Sequence, residues 1–328
     1  MIFSNYAWYR LYVKQLFFGV FLIWGNLMAA AVGYVPGTML VAKVPVASVW
    51  TDDRSFELVS PLPGILTSTV VCGRGGETMG THDTQLLLGE PVRVLKHAGA
   101  SRLHVQLPKQ PHYNHTTKVW GLCDGYVDRT ALTLPADVPM TRLVVPEVLV
   151  SEKELRDTIV ATVRLFIGAP YVWGGASPYE VGAAVITGFD CSGLVMYAYN
   201  KCGLLVPRNA NPQFEKTVRI EPKDVQPGDL LFLKFKNKDF AFVAHVMCFV
   251  GDDCYVEAAG DEDTPKCVRE ISATERLGKP LAEMANGEHV LVGTENECEV
   301  WCGSFLRDSA MREAMFNDYR ALRTLIAK

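Results

Sequence analysis

The order of helical and strand-forming segments between residues 151 and 260 constrains the fold more than any other feature of the chain. A capped amphipathic helix comes first, because Ser151 and Glu154 have the spacing of a capping box and apolar residues recur every three or four positions up to Gly168. A second helical segment begins at Cys191, and the runs PGDLLFLKF, VAHVMCFV and CYVEAAG then have strand character. Helices followed by antiparallel strands predict an α+β domain.

The chain before this domain has a different pattern of apolar and turn-forming residues. Residues 34–135 contain short alternating runs separated by turn residues, among them KVPVASVWT, SRLHVQLP and GLCDGYVDRTALT. This pattern predicts a small β-barrel. The stretch LPADVPMTRLVVPEVLV carries three prolines and no helical period, so residues 136–150 are predicted to be a linker. The α+β domain then occupies residues 151–328, including a C-terminal extension that ends in a helix.

The N-terminal segment allows three interpretations. No charged residue lies between Lys14 and Lys43, and an apolar run is followed by small residues, so residues 1–33 have the character of a cleaved signal peptide. The same run could remain as a membrane anchor through residues 15–35. The first two interpretations place the protein in the periplasm or cell envelope. If Met28 is the true start, the protein is cytoplasmic, which suits its nine cysteines.

Composition excludes some classes of function. The 328-residue chain has a net charge of −4, which argues against nucleic-acid binding through a broad basic face. It contains no CxxC pair, and Cys298 and Cys302 have no matching Cys/His pair nearby. We therefore expect neither a metal site nor a cofactor.

Cys191 is the candidate nucleophile. It lies in GFDCSGLV at the predicted start of a helix, where backbone N–H groups and the helix dipole favour the thiolate over the thiol. His245 is the candidate base, although a half-buried strand histidine is the simpler interpretation of that residue alone. Glu257 lies on the next predicted strand, after a tight turn at 251–253, and a carboxylate there could orient the imidazole.

Five motifs in order, YVWGG, GFDCSGLV, PRNANPQ, QPGDLLFL and AHVMCFVGDDCYVEAAG, resemble the NlpC/P60 family of cell-wall cysteine peptidases. The resemblance implies a papain-like domain that cleaves peptidoglycan stem peptides between γ-D-glutamate and a diamino acid. It makes Cys191 the nucleophile, His245 the base and Glu257 the third polar residue, where the family often has histidine. By the same resemblance, Tyr171 lines the oxyanion side, and Asp190, Ser192 and Arg208 belong to the substrate pocket. The segment 176–188 is longer than the family's usual link.

The runs VPVASVWTDD, TQLLLGEPVRVL and GYVDRTALT resemble a bacterial SH3 (SH3b) domain. One branch of the family uses such a domain to hold the free amine of an N-terminal L-alanine with an acid and a tyrosine. This resemblance makes Glu90 the candidate acid and Tyr126 a candidate tyrosine. The simpler interpretations are a solvent-facing turn residue for Glu90 and a barrel-core aromatic for Tyr126.

The leading hypothesis is a γ-D-glutamyl–diamino acid endopeptidase acting on stem peptides, or muropeptides, with a free N-terminal L-Ala. The alternatives are a hydrolase of intact cross-linked peptidoglycan, a papain-like acyltransferase and a non-catalytic wall-binding module. The simultaneous presence of Cys191 and His245 counts against the last alternative.

Overall fold

The computed structural model describes residues 34–51, 82–114, 117–138, 146–178, 185, 187–236, 241–259, 266–292 and 296–326. The proposed signal or anchor segment, most of the 176–188 insertion and part of the predicted linker lie outside these residues. Two antiparallel sheets hold most of the residues that form regular secondary structure in these ranges, and helices pack mainly against the second sheet. Within the described ranges, no helix has the length and apolar character needed to span a membrane.

The first sheet has seven strands that together span residues 39–133. They are β1 (Met39–Ala42), β2 (Val46–Trp50), β3 (His82–Leu87), β4 (Pro91–Ala98), β5 (Arg102–Asn114), β6 (Val119–Asp128) and β7 (Leu132–Thr133). Their order in the sheet is β3-β2-β6-β5-β4-β1-β7. Leu103, Val105 and Leu107 alternate on β5 as predicted, and all three are buried in this sheet's own core.

The strand pairings of the first sheet form an open path over the described residues. Its terminal strands β3 and β7 do not pair with each other there. The chain contains both helices and antiparallel sheets, as an α+β fold requires. Because the path of the first sheet is open, the closed SH3-like barrel stays a prediction.

Helix α1 (Glu152–Leu165) begins as its sequence predicts. Ser151 and Glu154 form the capping box in both directions, with the Ser151 backbone N–H donating to Glu154 Oε2 at 3.0 Å. The helix buries Leu155, Ile159 and Val163 on one face. The capping box and the buried apolar face are both as predicted, so residues close in the chain are enough to define this helix.

Helix α2 (Cys191–Lys201) is the central helix of the second domain, and eight of its residues are buried. It ends just before Gly203, whose φ of +77° suits glycine. The remaining helices are α3 (Ala210–Lys216), α4 (Ala273–Leu277) and α5 (Ser309–Ile326).

The second sheet has the order β12-β11-β10-β9-β14-β13, with β8 paired to β14. Its strands are β8 (Val218–Arg219), β9 (Leu230–Lys236), β10 (Ala241–Gly251), β11 (Cys254–Ala259), β12 (Cys267–Ser272), β13 (Glu288–Val292) and β14 (Asn296–Ser304). The predicted turn joins β10 to β11, and Asp252 and Asp253 have positive φ there, which aspartate tolerates in tight turns. One core cluster lies between this sheet and helices α1 and α2.

The first sheet contacts the loop that leads into α2. The ring Nδ1 of His82 lies 2.8 Å from the carbonyl oxygen of Trp173. Gln85 Oε1 accepts hydrogen bonds from the Ala176 backbone N–H and the Ser177 hydroxyl, at 2.9 and 2.6 Å. This contact places β3 beside the start of the helix that carries Cys191.

Candidate active site

The first turn of α2 presents a cysteine at a capped helix N-terminus. Asp190 is the cap, and its Oδ1 accepts a hydrogen bond from the Gly193 backbone N–H at 2.6 Å. Cys191 follows as the first helical residue and is half-buried. A Cβ at Gly193 would lie 2.0 Å from the Gly175 carbonyl oxygen, so only glycine allows the YVWGG loop to pack this closely.

His245 lies on β10, and its imidazole interacts electrostatically with the Cys191 side chain. Its Nε2 lies 2.7 Å from Glu257 Oε2 on β11. The strands pair Cys248 with Val256, so Glu257 is a diagonal rather than a direct cross-strand neighbour of His245. Because Nε2 faces the carboxylate, Nδ1 is the ring nitrogen left for the cysteine.

The histidine and the glutamate stabilise each other's charged form. Burial opposes a charged imidazole, but hydrogen bonds and charges from Cys191 and Glu257 outweigh it and raise the pKa of His245 to about 10. Burial likewise opposes the carboxylate, but His245, Arg276 and Arg269 lower the pKa of Glu257 to about 2. Arg269 Nε donates to Glu257 Oε1 at 2.9 Å. A charged imidazole beside the sulfur favours the thiolate, the nucleophilic form of cysteine.

A second charged cluster, formed by Arg208 and Asp190, stabilises the start of α2. Both Asp190 oxygens accept hydrogen bonds from Arg208, Oδ1 from Nη1 at 3.0 Å and Oδ2 from Nη2 at 2.7 Å. Arg208 is 1% exposed, and its Nη1 also donates to the Ser192 hydroxyl. Its Nε donates to Thr84 Oγ1 in β3 at 2.7 Å. The three predicted pocket residues thus lie together beside Cys191 and link the first sheet to α2.

Tyr171 lies close to Cys191 in the fold. Its backbone forms an isolated parallel bridge with Phe189, two residues before the cysteine, and its half-buried side chain packs against the domain core. Trp173, in the same loop, is 49% exposed. The predicted oxyanion-side role of Tyr171 stays a prediction.

The two candidates from the first sheet have different surroundings. Glu90 is 3% exposed, so it is not the solvent-facing turn residue of the simpler interpretation. It lies in a cavity with Met196 and Asn200, in the second half of α2, rather than with Cys191 at its start. Tyr126 is half-buried and stacks on His104, with ring centroids 4.5 Å apart.

Asp83 is a further acidic residue beside the start of α2, and the sequence does not single it out. This half-buried residue of β3 interacts electrostatically with Arg208 and Asp190, and burial raises the pKa of its carboxyl group. A Cβ at Gly174 would lie 3.0 Å from the Asp83 backbone, so the residue adjoins the loop before Cys191. The sequence resemblance points to Glu90 in the TQLLLGE run. Asp83 is identified only by the contact between the first sheet and the loop before Cys191.

Other reactive groups lie apart from this site. His289 is exposed on β13 and pairs with Glu297 across 3.1 Å. Cys298 and Cys302 are both buried in the second core cluster. Over the described ranges, no group of three or more histidine, cysteine and acidic residues is arranged to hold a metal ion.

Known proteins are similar to the segment of the chain that contains these residues. The NlpC/P60 family model matches residues 168–277. The chain is 32% identical over 105 residues to a Gamma-DL-glutamyl hydrolase from Bacillus subtilis. This alignment covers 32% of this chain and 23% of that protein. It is 29% identical over 128 residues to a Gamma-D-glutamyl-L-lysine dipeptidyl-peptidase from Bacillus cereus, covering 37% of this chain and 36% of that protein. The chain thus spans well under half the length of these relatives.

Structural comparison extends the likeness beyond the matched segment. The crystal structure of an NlpC/P60 family protein from Bacillus cereus superposes with a TM-score of 0.55 at 18% identity. The superposition covers 82% of this chain and 100% of that one, so the shared fold extends well beyond residues 168–277. The chain thus contains a segment, residues 168–277, that matches the NlpC/P60 family.

Proposed function

We propose that the chain is a cysteine endopeptidase that hydrolyses the γ-D-glutamyl–diamino acid bond of peptidoglycan stem peptides. The observation that carries the proposal is the Cys191–His245–Glu257 arrangement. A cysteine at a helix N-terminus interacts electrostatically with an imidazole, and a buried carboxylate lies 2.7 Å from that imidazole. Both relatives described above have glutamyl-bond hydrolysis in their names.

In the proposed reaction, the Cys191 thiolate attacks the γ-carbonyl carbon of the glutamyl residue. The charged His245 then gives its proton to the departing amine of the diamino acid, which leaves a thioester on Cys191. Neutral His245 next takes a proton from water, and the resulting hydroxide hydrolyses the thioester and restores the thiolate. Glu257 fixes the ring orientation and stabilises the charged imidazole in both half-reactions.

The first domain is proposed to select substrates with a free N-terminal L-Ala. We assign residues 34–135 to this SH3b-like module and 136–150 to a linker, with the catalytic domain at 151–328. The amine is assigned to Asp83 rather than Glu90, because Asp83 adjoins the loop before Cys191 and interacts with Arg208 and Asp190. Tyr126, Tyr171 and Ser192 are proposed to line the same cleft, and Asp190 and Arg208 to position its wall. We further propose that the protein acts in the cell envelope, where peptidoglycan lies.

Blocking the amine tests this specificity. We expect the wild-type protein to cleave L-Ala-γ-D-Glu-diaminopimelate and to cleave its N-acetylated form about a hundredfold less efficiently, because acetylation removes the charge that Asp83 would bind. Asp83→Asn should lose most of this discrimination, whereas Glu90→Gln should keep it. Kinetics by liquid chromatography of the released diamino acid measures kcat/KM for both substrates.

Equal kcat/KM for the free and acetylated peptides would contradict the amine requirement while leaving the peptidase assignment intact. Faster turnover of intact sacculi than of either peptide would favour the hydrolase of cross-linked peptidoglycan.

A further inference from the structure

A cavity of about 180 Å³ lies where the first sheet, helix α2 and helix α5 meet. Leu87, Glu90 and Lys109 line it from the first sheet. Met196 and Asn200 contribute from α2, and Tyr319 from α5. Engineered cavities of about 150 Å³ hold a benzene molecule, so this volume suits a ligand of roughly six to eight non-hydrogen atoms.

The cavity is separate from the candidate active site. None of Cys191, His245 and Glu257 lines it. Its lining from α2 begins at Met196, five residues after the cysteine, and the helix rises about 1.5 Å per residue. A ligand held there would occupy a second site.

Two buried acceptors on the cavity wall have no hydrogen-bond partner. Glu90 is 3% exposed, and its Oε2 accepts the Leu87 backbone N–H at 2.9 Å, but its Oε1 has no partner. Asn200 is 5% exposed, and its Oδ1 likewise has none. A buried acceptor without a donor costs about 1–3 kcal/mol.

A buried cation lies beside these acceptors. Lys109 is 8% exposed, and its Nζ lies 3.9 Å from Glu90 Oε2 and 5.9 Å from the centroid of the Tyr319 ring. Burial opposes the charge, but Glu90, Tyr319 and Tyr197 together outweigh it and raise the pKa of Lys109, so the ammonium stays charged. The distance to Glu90 exceeds a hydrogen bond, so the Lys109 donors are open to an anion. Exposed Lys201 adds a second positive charge to the lining.

We propose that this cavity binds a small free amino acid. The ligand's ammonium group would donate to Glu90 Oε1 and Asn200 Oδ1, and its carboxylate would pair with Lys109 and, toward the solvent side, with Lys201. The two lysines and one glutamate leave the lining with one net positive charge. The cavity therefore fits a zwitterion better than a simple amine. The side-chain part of the ligand would contact Leu87 and Met196.

Calorimetric titration of the full chain carrying Cys191→Ala tests this site without turnover. We expect saturable one-to-one binding of glycine or L-alanine, and at least tenfold weaker binding of methylamine and acetate, each of which offers only half of the zwitterion. Glu90→Gln should weaken L-alanine binding at least tenfold because it removes the partner of the ammonium group. Lys201→Gln, a change at an exposed position, should weaken it severalfold even if Glu90→Gln impairs folding.

Lys153→Gln, at an exposed lysine on α1, serves as the matched control and should not change binding. The proposal is overturned if none of the amino acids saturates the protein. It is also overturned if Asp83→Asn abolishes binding while Glu90→Gln and Lys201→Gln leave it intact, because the ligand would then lie in the active-site cleft. Neither result bears on peptide hydrolysis, which is measured separately in the wild-type protein.

Discussion

Replacement of Cys191 by alanine should lower kcat/KM for L-Ala-γ-D-Glu-diaminopimelate by about a thousandfold or more. The variant retains the helix cap and the His245–Glu257 hydrogen bond but lacks the sulfur that interacts with this imidazole. Without the thiolate no thioester forms, and the residual rate is that of positioned water. Single-turnover and steady-state assays of diamino acid release measure the loss.

Cys254→Ala is the matched control for this experiment. Cys254 is also only partly buried, but it begins β11 and its charged surroundings are Glu270, Asp253, Asp252 and Arg164 rather than a histidine. The control should retain full activity. Undiminished turnover by Cys191→Ala, or an equal loss in Cys254→Ala, would remove Cys191 from the mechanism.

Replacement of Arg208 by methionine should reduce the free energy of unfolding by about 3–5 kcal/mol. Arg208 makes paired hydrogen bonds to both oxygens of buried Asp190 and a further one to Thr84. Its loss leaves the Asp190 carboxylate buried without its counter-ion and breaks a link between the first sheet and α2. Urea unfolding of the Cys191→Ala background and of the same background with Arg208→Met measures the difference.

Arg164→Met provides a control of the same chemistry at the surface. Arg164 also makes two hydrogen bonds to one carboxylate, that of Glu270, but its side chain is 44% exposed, so its loss should cost about 1 kcal/mol or less. Adding Asp190→Asn to Arg208→Met should recover part of the stability, because the buried charge is then gone. Equal costs for Arg164→Met and Arg208→Met would refute the role given to the buried pair.

Local sequence signals predict the elements that carry the site. The capping box at Ser151 and Glu154 determines the start of α1, and the two aspartates after Gly251 make the turn between β10 and β11. That turn brings His245 within reach of Glu257, although the bond is diagonal across the ladder. Each of these features depends on residues that are close in the chain.

Contacts between distant segments escape such reasoning. Arg208 and Thr84 are 124 positions apart, and the order of strands in the first sheet does not follow the chain, so nothing local identifies Asp83 as a neighbour of the helix start. The burial of Glu90 also could not be predicted from local sequence. Its sequence suggests an exposed turn, but the first sheet packs against α2 and α5 and buries it.

The most direct test of the charged cysteine–histidine pair is titration of the His245 imidazole by NMR in protein with isotope-labelled histidine. Because its pKa is raised from 6.5 to about 10, the ring should stay protonated through neutral pH and lose its proton only near pH 10. The stability that this charge contributes should be complete below about pH 6.5 and decline as the pH rises toward 10. Cys191→Ala should lower the pKa of His245, because it removes the sulfur that favours the charged ring. A wild-type imidazole that titrates near pH 6.5, unchanged by Cys191→Ala, would contradict the account.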